Sequence, residues 1–406
     1  VTTTFDERIR DLVAYAYEHA PAVRDNLEAA NLTPADIQGA DDLPKIPILR
    51  KDDLIAMQAA NPPFGGLLTV APDTLPHIFI SPGPIYDPQP DNPEAAQGMQ
   101  AVLAAGGFEA GDRVLNTFSY HLTPAGMLID RALLNAGCTV IPAGPGNTEI
   151  QIKMIHDLAI QGYVGTPSFL AIMLEKMIEM GLPKEAVPVK KAFFSAEPYT
   201  PSQRALFEDE YGMQTVSAYG TADLGVIAYA SGAATGFCVL DHLYLEVVDP
   251  DTGEAVEAGM AGEILVTTIN YAYPLIRFGT GDLGALAADA DAACDGRQQL
   301  LGLFGRSGDA IKVRGMFLHP NQLKAAIARV PQIKYAQAVI TRPQHRDHLT
   351  VLVELHEDAD DVAHIEAAVK AHLQGVARLR VDDVQLVESG AIDPQQRSII
   401  DERTWE

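Results

Sequence analysis

Residues 191–223 read KAFFSAEPYTPSQRALFEDEYGMQTVSAYGTAD. Lys191–Ser195 is a short apolar run, Pro201–Tyr211 has helical spacing, and Gln214–Ala218 is a second strand-like run. Strand, helix and strand in that order describe two parallel strands joined by a crossover helix, so the region is α/β. The alternation continues upstream with a helix over Glu94–Gly106, a strand at Arg113–Phe118, a helix at Ala125–Asn135 and a buried strand at Cys138–Pro142. A helix at Glu149–Gln161, a strand at Tyr163–Gly165 and a helix at Pro167–Glu179 complete the series.

On either side the texture changes. In the first 60 residues Ile9, Leu12, Val13 and Tyr17 fall on one helical face, and Pro21 interrupts just past them. From Asn61 to Pro93 there are nine prolines, which confine that stretch to loop and short strand because each removes a backbone donor. Beyond Asp241, LYLEVVDPDTGE and GEILVTTI read as strands joined by tight turns, with Asp251 to Gly253 supplying the turn residues. After Gly305 comes a smaller unit with strands at Gln337–Ile340 and Leu349–Leu355 and helices at Asn321–Arg329 and Ala363–Gln374. The expected organisation is a large N-terminal domain, 1–306, with parallel strands and a β-rich portion, followed by a small α+β domain, 307–406.

A chain of 406 residues with 47% hydrophobic residues fills more than one core, in keeping with two domains. Its formal charge of 29 − 54 = −25 repels nucleic-acid phosphates and anionic lipid, so neither is an expected partner. Three separated cysteines, Cys138, Cys238 and Cys294, do not form a disulfide scaffold by count, which fits a reducing compartment. No apolar window reaches membrane-spanning length, and the expected location is the cytoplasm.

Four segments place glycines and polar residues at strand ends, where open α/β sheets bind ligands: SAEP (Ser195–Pro198), SAYGTAD (Ser217–Asp223), IRFGTGDLG (Ile276–Gly284) and GRSGDAIKVRG (Gly305–Gly315). Each alone is equally a plain β-turn. In this order, together with VIPAGPGNTEIQI, LYLEVVDPDTGEAV and GRSGDAIKVRGMFLHPNQL, the series resembles the adenylate-forming superfamily of acyl-CoA synthetases, and within it the phenylacetate-CoA ligase branch. The resemblance implies a large adenylate-forming domain, a small mobile C-terminal lid, ATP or AMP and Mg2+ as cofactors, and an aromatic or similarly small carboxylate as substrate. CoA, a carrier-protein thiol or an amine is the implied acceptor, and a homodimer is compatible with the reading.

The residue roles are implied in the same way. Asp282 accepts the ribose hydroxyls, and Arg306 lies beside ribose and phosphate. Ser195, Ala196, Glu197 and Pro198 wall the adenine, and Tyr219, followed by Gly220 and Thr221, stacks on it. Asp223 stands where the family holds Mg2+ with a glutamate, one methylene longer; the alternative for it is a helix cap. Lys312 is a cation after the hinge, or a surface lysine. Glu197 is alternatively a solvated loop carboxylate.

Three departures from the family pattern bear on chemistry. Where the family has a Ser/Thr/Gly phosphate loop ending in lysine, this chain reads SPGPIYDPQPDNP: Pro82, Pro84 and Pro88 donate nothing, Asp87 repels phosphate, and only Ser81 and Gly83 remain. Counting back from Ile400–Arg403 puts Gln395 at the position of the catalytic lysine, with Arg397 the nearby candidate substitute. The hinge residue is Gly308, followed by Asp309. These losses leave open a non-catalytic adenylate-binding protein, or one that performs only the transfer half-reaction. Cys238, His242 and Cys294 are either zinc ligands or ordinary buried side chains, and Ser119, Tyr120 and His121 line an acyl pocket or pack a loop.

Overall fold

The computed structural model describes residues 4–404 apart from 82–83, 233–235, 251, 261, 290–291, 307–310, 315, 319, 357–363 and 378. It divides into two compact units, Val1–Ser307 and Gly308–Glu406.

The N-terminal unit opens with helices α1 (Phe5–His19) and α2 (Pro21–Ala29). Thr4 caps α1 through a capping box with Glu7, and Pro21 takes the first-turn position of α2, where its missing N–H costs nothing. Strand β1 (Leu49–Arg50) leads directly into helix α3 (Lys51–Ala60). The proline-rich stretch forms a short antiparallel hairpin, β2 (His77–Ser81) and β3 (Ile85–Gln89), with Phe79 opposite Asp87 and Ser81 opposite Ile85.

The α/β series follows as α4 (Pro93–Ala105), β4 (Arg113–Asn116), α5 (Ala125–Asn135), β5 (Thr139–Pro142), α6 (Thr148–Asp157), β6 (Gly162–Gly165), α7 (Pro167–Glu179), β7 (Lys191–Phe194), α8 (Pro201–Arg204) and β8 (Gln214–Thr221). The helix expected over Pro201–Tyr211 changes character after one turn: Ala205–Glu210 is π-helical, with Phe207 buried and Glu208 accepting from Arg204 and Thr215. Then come β9 (Gly225–Ser231), β10 (Phe237–Val239), β11 (Leu243–Val248), β12 (Gly262–Thr268), β13 (Phe278–Leu286) and β14 (Gln299–Arg306).

The parallel strands and the β-rich portion are one continuous sheet, ordered β11-β12-β13-β14-β10-β9-β8-β7-β6-β4-β5, with β1 added in parallel to β13. Neighbours from β5 to β8 are parallel, and from β8 onward, through the β8–β9 hairpin, they are antiparallel. One apolar cluster, including Val164, Phe193, Val216, Val266 and Leu300, draws on both halves. Another packs α1 and α2 on Ile269, Leu275 and Phe278.

The C-terminal unit has a hairpin of β15 (Ile311–Val313) and β16 (Met316–Leu318), helix α9 (Pro320–Ile327), strands β17 (Ile333–Thr341) and β18 (His348–Leu355), helix α10 (Ile365–Ala377), and strands β19 (Asp383–Val387) and β20 (Ile399–Asp401). Its sheet runs β19-β18-β17-β20, and Leu323, Val351, Val369 and Leu373 share its core. Arg342 and Arg403 both pair with the buried Asp347.

The cysteine reading needs correction. Cys238 and Cys294 are joined by a disulfide, with Cα atoms 5.2 Å apart, so neither is a free thiol or an available zinc ligand. Their separation of 56 residues conceals that β10 pairs with β14, whose start lies just past Cys294. The cysteine content is therefore no argument for a reducing compartment. His242 is a buried imidazole, kept neutral down to about 4 by burial first and the Arg8 charge second. Among the described residues, no helix is long and apolar enough to cross a membrane.

Candidate functional site

The segment Gly-Thr-Gly-Asp is not a β-turn; it lies inside β13, where Gly281 adopts φ +71°. That left-handed value suits glycine and re-aims the chain just before Asp282. Asp282 stands opposite Arg306 on β14, and Arg306 Nη1 donates to Asp282 Oδ1 at 3.1 Å. Tyr219 Oη donates to Asp282 Oδ2 at 2.8 Å. β8 and β13 are four places apart in the sheet, about 19 Å if the sheet were flat at ~4.8 Å per strand. Tyr219 reaches Asp282 only because the antiparallel segment from β8 to β13 curls on itself. Burial first, then the Asp282 charge, holds the Tyr219 phenol protonated, well above its usual range, so it is a permanent donor. Tyr219 is 6% exposed and packs in the core.

At the end of β7, Ser195 Oγ donates to Ala218 O at 2.9 Å and so couples the SAEP segment to β8. Ala196 sits at φ +76°, a strained conformation for a residue with a Cβ. Glu197 is not a solvated loop carboxylate: its Oε1 accepts from the Ser168 N–H at 2.6 Å, placing negative charge at the α7 N-terminus. Pro198 is exposed. Gly220 lies at a bulge in the β8–β9 hairpin, where a Cβ would meet Gly225 O at 2.4 Å. Thr221 Oγ1 accepts from Leu224 N at 3.3 Å and closes the turn that carries Asp223.

Asp223 caps no helix. Its side chain is 4% exposed, and its Oδ2 lies 2.8 Å from Lys51 Nζ. Lys51 is the first residue of α3, delivered there by a buried anchor. Arg277, 3% exposed, donates to Ile46 O at 2.6 Å and Pro44 O at 3.2 Å while its Nε bonds Glu246, and Leu49 N donates to Arg277 O. The anchor fixes β1 against β13, and Lys51 follows it. Asp87, on β3, is 2% exposed; its Oδ1 accepts from Gln89 Nε2 at 3.0 Å and its Oδ2 has no partner. Burial, reinforced by the neighbouring Asp223 charge, pushes its carboxyl well above the usual carboxylate range. Ser81 Oγ, on the same inward face of the hairpin, is also buried without a partner. Pro82, Gly83, Gly308 and Asp309 lie outside the described residues, as does the side chain of Lys312.

Magnesium does not fit this donor set. Mg2+ demands near-octahedral oxygen ligation, whereas one Asp223 oxygen is already held by an ammonium. Among the described residues no three His, Cys, Asp or Glu side chains converge on an ion-sized site.

The remaining candidates of the N-terminal unit, Ser119, Tyr120 and His121, bond locally. Tyr120 Oη donates to Asp130 Oδ1 at 2.8 Å and accepts from Asn116, while Ser119 Oγ accepts from His121 N. In the C-terminal unit Gln395 and Arg397 are exposed, and Arg397 O accepts from Gln337 Nε2 at 2.9 Å. Sequence reasoning missed Lys51, Arg277 and Gln58. A lysine at a first helical position, against the helix dipole, was the available signal for Lys51.

Comparison with known proteins agrees with this architecture. Residues 94–272 match the family of AMP-binding enzymes, and residues 315–403 match the AMP-binding enzyme C-terminal domain. The chain is 31% identical over 372 residues to a phenylacetate-coenzyme A ligase of Aromatoleum evansii, spanning 89% of this chain and 83% of that one. A phenylacetate-coenzyme A ligase of Thermus thermophilus is 30% identical over 402 residues, 93% and 89% of the two chains. A crystal structure of 2-hydroxyisobutyryl-CoA ligase with 2-HIB-AMP and CoA matches with a TM-score of 0.88 at 25% identity, over 98% of this chain and 89% of that chain.

Proposed function

The chain belongs to the adenylate-forming superfamily as a phenylacetate-CoA ligase-like member, and from that premise we propose that it binds AMP or an acyl-adenylate at Asp282 and passes a small, aromatic-type carboxylate to CoA. The observation that carries this is the Asp282 carboxylate, fixed between Tyr219 and Arg306. A sugar diol offers a carboxylate two parallel O–H donors, and preorganised neighbours reduce the ordering cost of accepting them. Arg306 supplies a cation beside the same group. The strained Ala196 and the Glu197 link to α7 hold the SAEP segment rigid enough to wall a base. In this reading the C-terminal unit is the mobile lid, with Arg397 and Lys312 its candidate cations. The ligand complex of the 2-hydroxyisobutyryl-CoA ligase supports acyl-AMP and CoA as the ligand pair.

A second reading is favoured by the hairpin. With Asp87 buried and Gln395 at the lysine position, forming the adenylate from ATP is disfavoured, while transfer from a preformed adenylate needs neither feature. The test separates the half-reactions: pyrophosphate release from ATP with a carboxylate panel, and thioester formation from synthetic phenylacetyl-AMP plus CoA. Transfer without pyrophosphate release is the expected pattern. Binding of the acyl-AMP with neither activity establishes the non-catalytic form, and absence of acyl-AMP binding removes the proposal. Gln395→Lys is expected to raise pyrophosphate release if the lost ammonium is what limits adenylation.

A further inference from the structure

Helix α3 reaches the hairpin and the Asp223 turn at once. Its first residue, Lys51, ends on Asp223. Two turns on, Gln58 donates to Tyr86 O and accepts from Tyr86 N, both at 2.8 Å, and so grips β3 from the same helix. A lysine at a helix N-terminus opposes the helix dipole, and Asp52 and Asp53 beside it are the acids that position prefers. The ion pair with a carboxylate only 4% exposed offsets that disadvantage. The Arg277 anchor and the Gln58 grip hold Lys51 from both sides.

We propose that the Lys51 ammonium takes the cation position at Asp223, so that this chain binds its ligand there without a divalent metal. Only the last clause rests on the nucleotide reading above. Ion pairing to Lys51 leaves Asp223 a neutral pair. A divalent ion would have to expel the ammonium or sit beside it, where Asp87, the other buried carboxyl, gives one oxygen to Gln89 and has the second unpartnered. With the ammonium in place, the hard-oxygen set Mg2+ requires is therefore not assembled.

The test is titration of the full chain with Mn2+, followed by electron paramagnetic resonance, with Asp223→Asn as the control for loose binding to an acidic surface. Wild type is expected to show no stoichiometric Mn2+ that Asp223→Asn removes, and Lys51→Arg to behave the same. Lys51→Met is expected to gain one Mn2+ per chain, lost again when Asp223→Asn is added. A wild-type site that disappears in Asp223→Asn overturns the proposal. So does a folded Lys51→Met chain that gains none. Should Lys51→Met not fold, the wild-type titration decides, joined by AMP affinity in EDTA and in Mg2+. Those affinities are expected to agree within about twofold, since a ligand linked to no metal gains nothing from it. A tenfold or larger gain, on the order of 1.4 kcal/mol, contradicts the proposal. Absence of AMP binding in both buffers rejects the nucleotide reading and leaves the Mn2+ result to judge this one.

Discussion

Asp282 and Asp87 are both aspartates on strands of the N-terminal unit, and they are built in opposite ways. Asp282 is held between a phenol and a guanidinium, with its side chain 16% exposed, so its charge is compensated and still presented. Asp87 is turned inward at 2% exposure, with one oxygen unpaired and its carboxyl pushed towards the neutral form. The first arrangement is that of the binding group we propose. The second fills space where a phosphate loop is expected from the resemblance. The contrast teaches that the two ends of the proposed ligand site can diverge separately, because different elements carry them: the curled sheet carries Asp282, and a proline-rich hairpin strapped by α3 carries Asp87.

The largest expected effect comes from cutting the anchor common to both ends. Arg277→Leu leaves Glu246 buried and uncompensated and detaches β1 from β13, a loss of about 3–5 kcal/mol in unfolding free energy. Denaturant unfolding measures it. A loss of less than about 1 kcal/mol, the usual range for exposed pairs, means the ion pair is not what fixes β1 and Lys51.

Next in size is the binding group itself. Asp282→Ala is expected to weaken AMP or acyl-adenylate binding by about 1.5–3 kcal/mol, the scale for losing hydrogen bonds to a charged partner. Calorimetry showing equal affinity in the two proteins would move the ligand away from Asp282 and dissolve the comparison.

The smallest effect sharpens the other side. The unfolded chain ionises Asp87 near its ordinary value of 3.8, whereas the folded chain keeps the proton to higher pH. The folded state thus binds more protons in that window, and stability falls as pH rises through it. Asp87→Asn removes the falling contribution, with an expected gain in stability near pH 7 that shrinks towards pH 4. Thermal unfolding at the two pH values reads it. A larger gain at the lower pH reverses the sign and shows that Asp87 is ionised in the fold.

How much of this was legible in the sequence follows from which contacts are local. The helices Ala125–Asn135 and Pro167–Glu179 begin and end where their apolar spacing and flanking residues place them. Asp282, Tyr219 and Arg306 were each readable from their motifs, yet their meeting depends on sheet curl, which no periodicity records. Lys51 and Asp223 are 172 residues apart and meet through the Arg277 anchor, so neither motif announces the other. The Cys238–Cys294 link was hidden for the same reason. The inward face of the hairpin was missed because four alternating residues, Phe79, Ser81, Ile85 and Asp87, include two polar ones that a period-two reading would send to solvent.

On the proposed reading, the nucleoside end of the site is kept and the triphosphate end is closed. Calorimetric titration of the wild-type chain with AMP, with ATP in EDTA and with ATP in Mg2+ tests it most directly. AMP is expected to bind, and ATP to bind no more tightly in either buffer, because the hairpin supplies no cation to the β- and γ-phosphates. ATP with Mg2+ binding tighter than AMP would contradict the account.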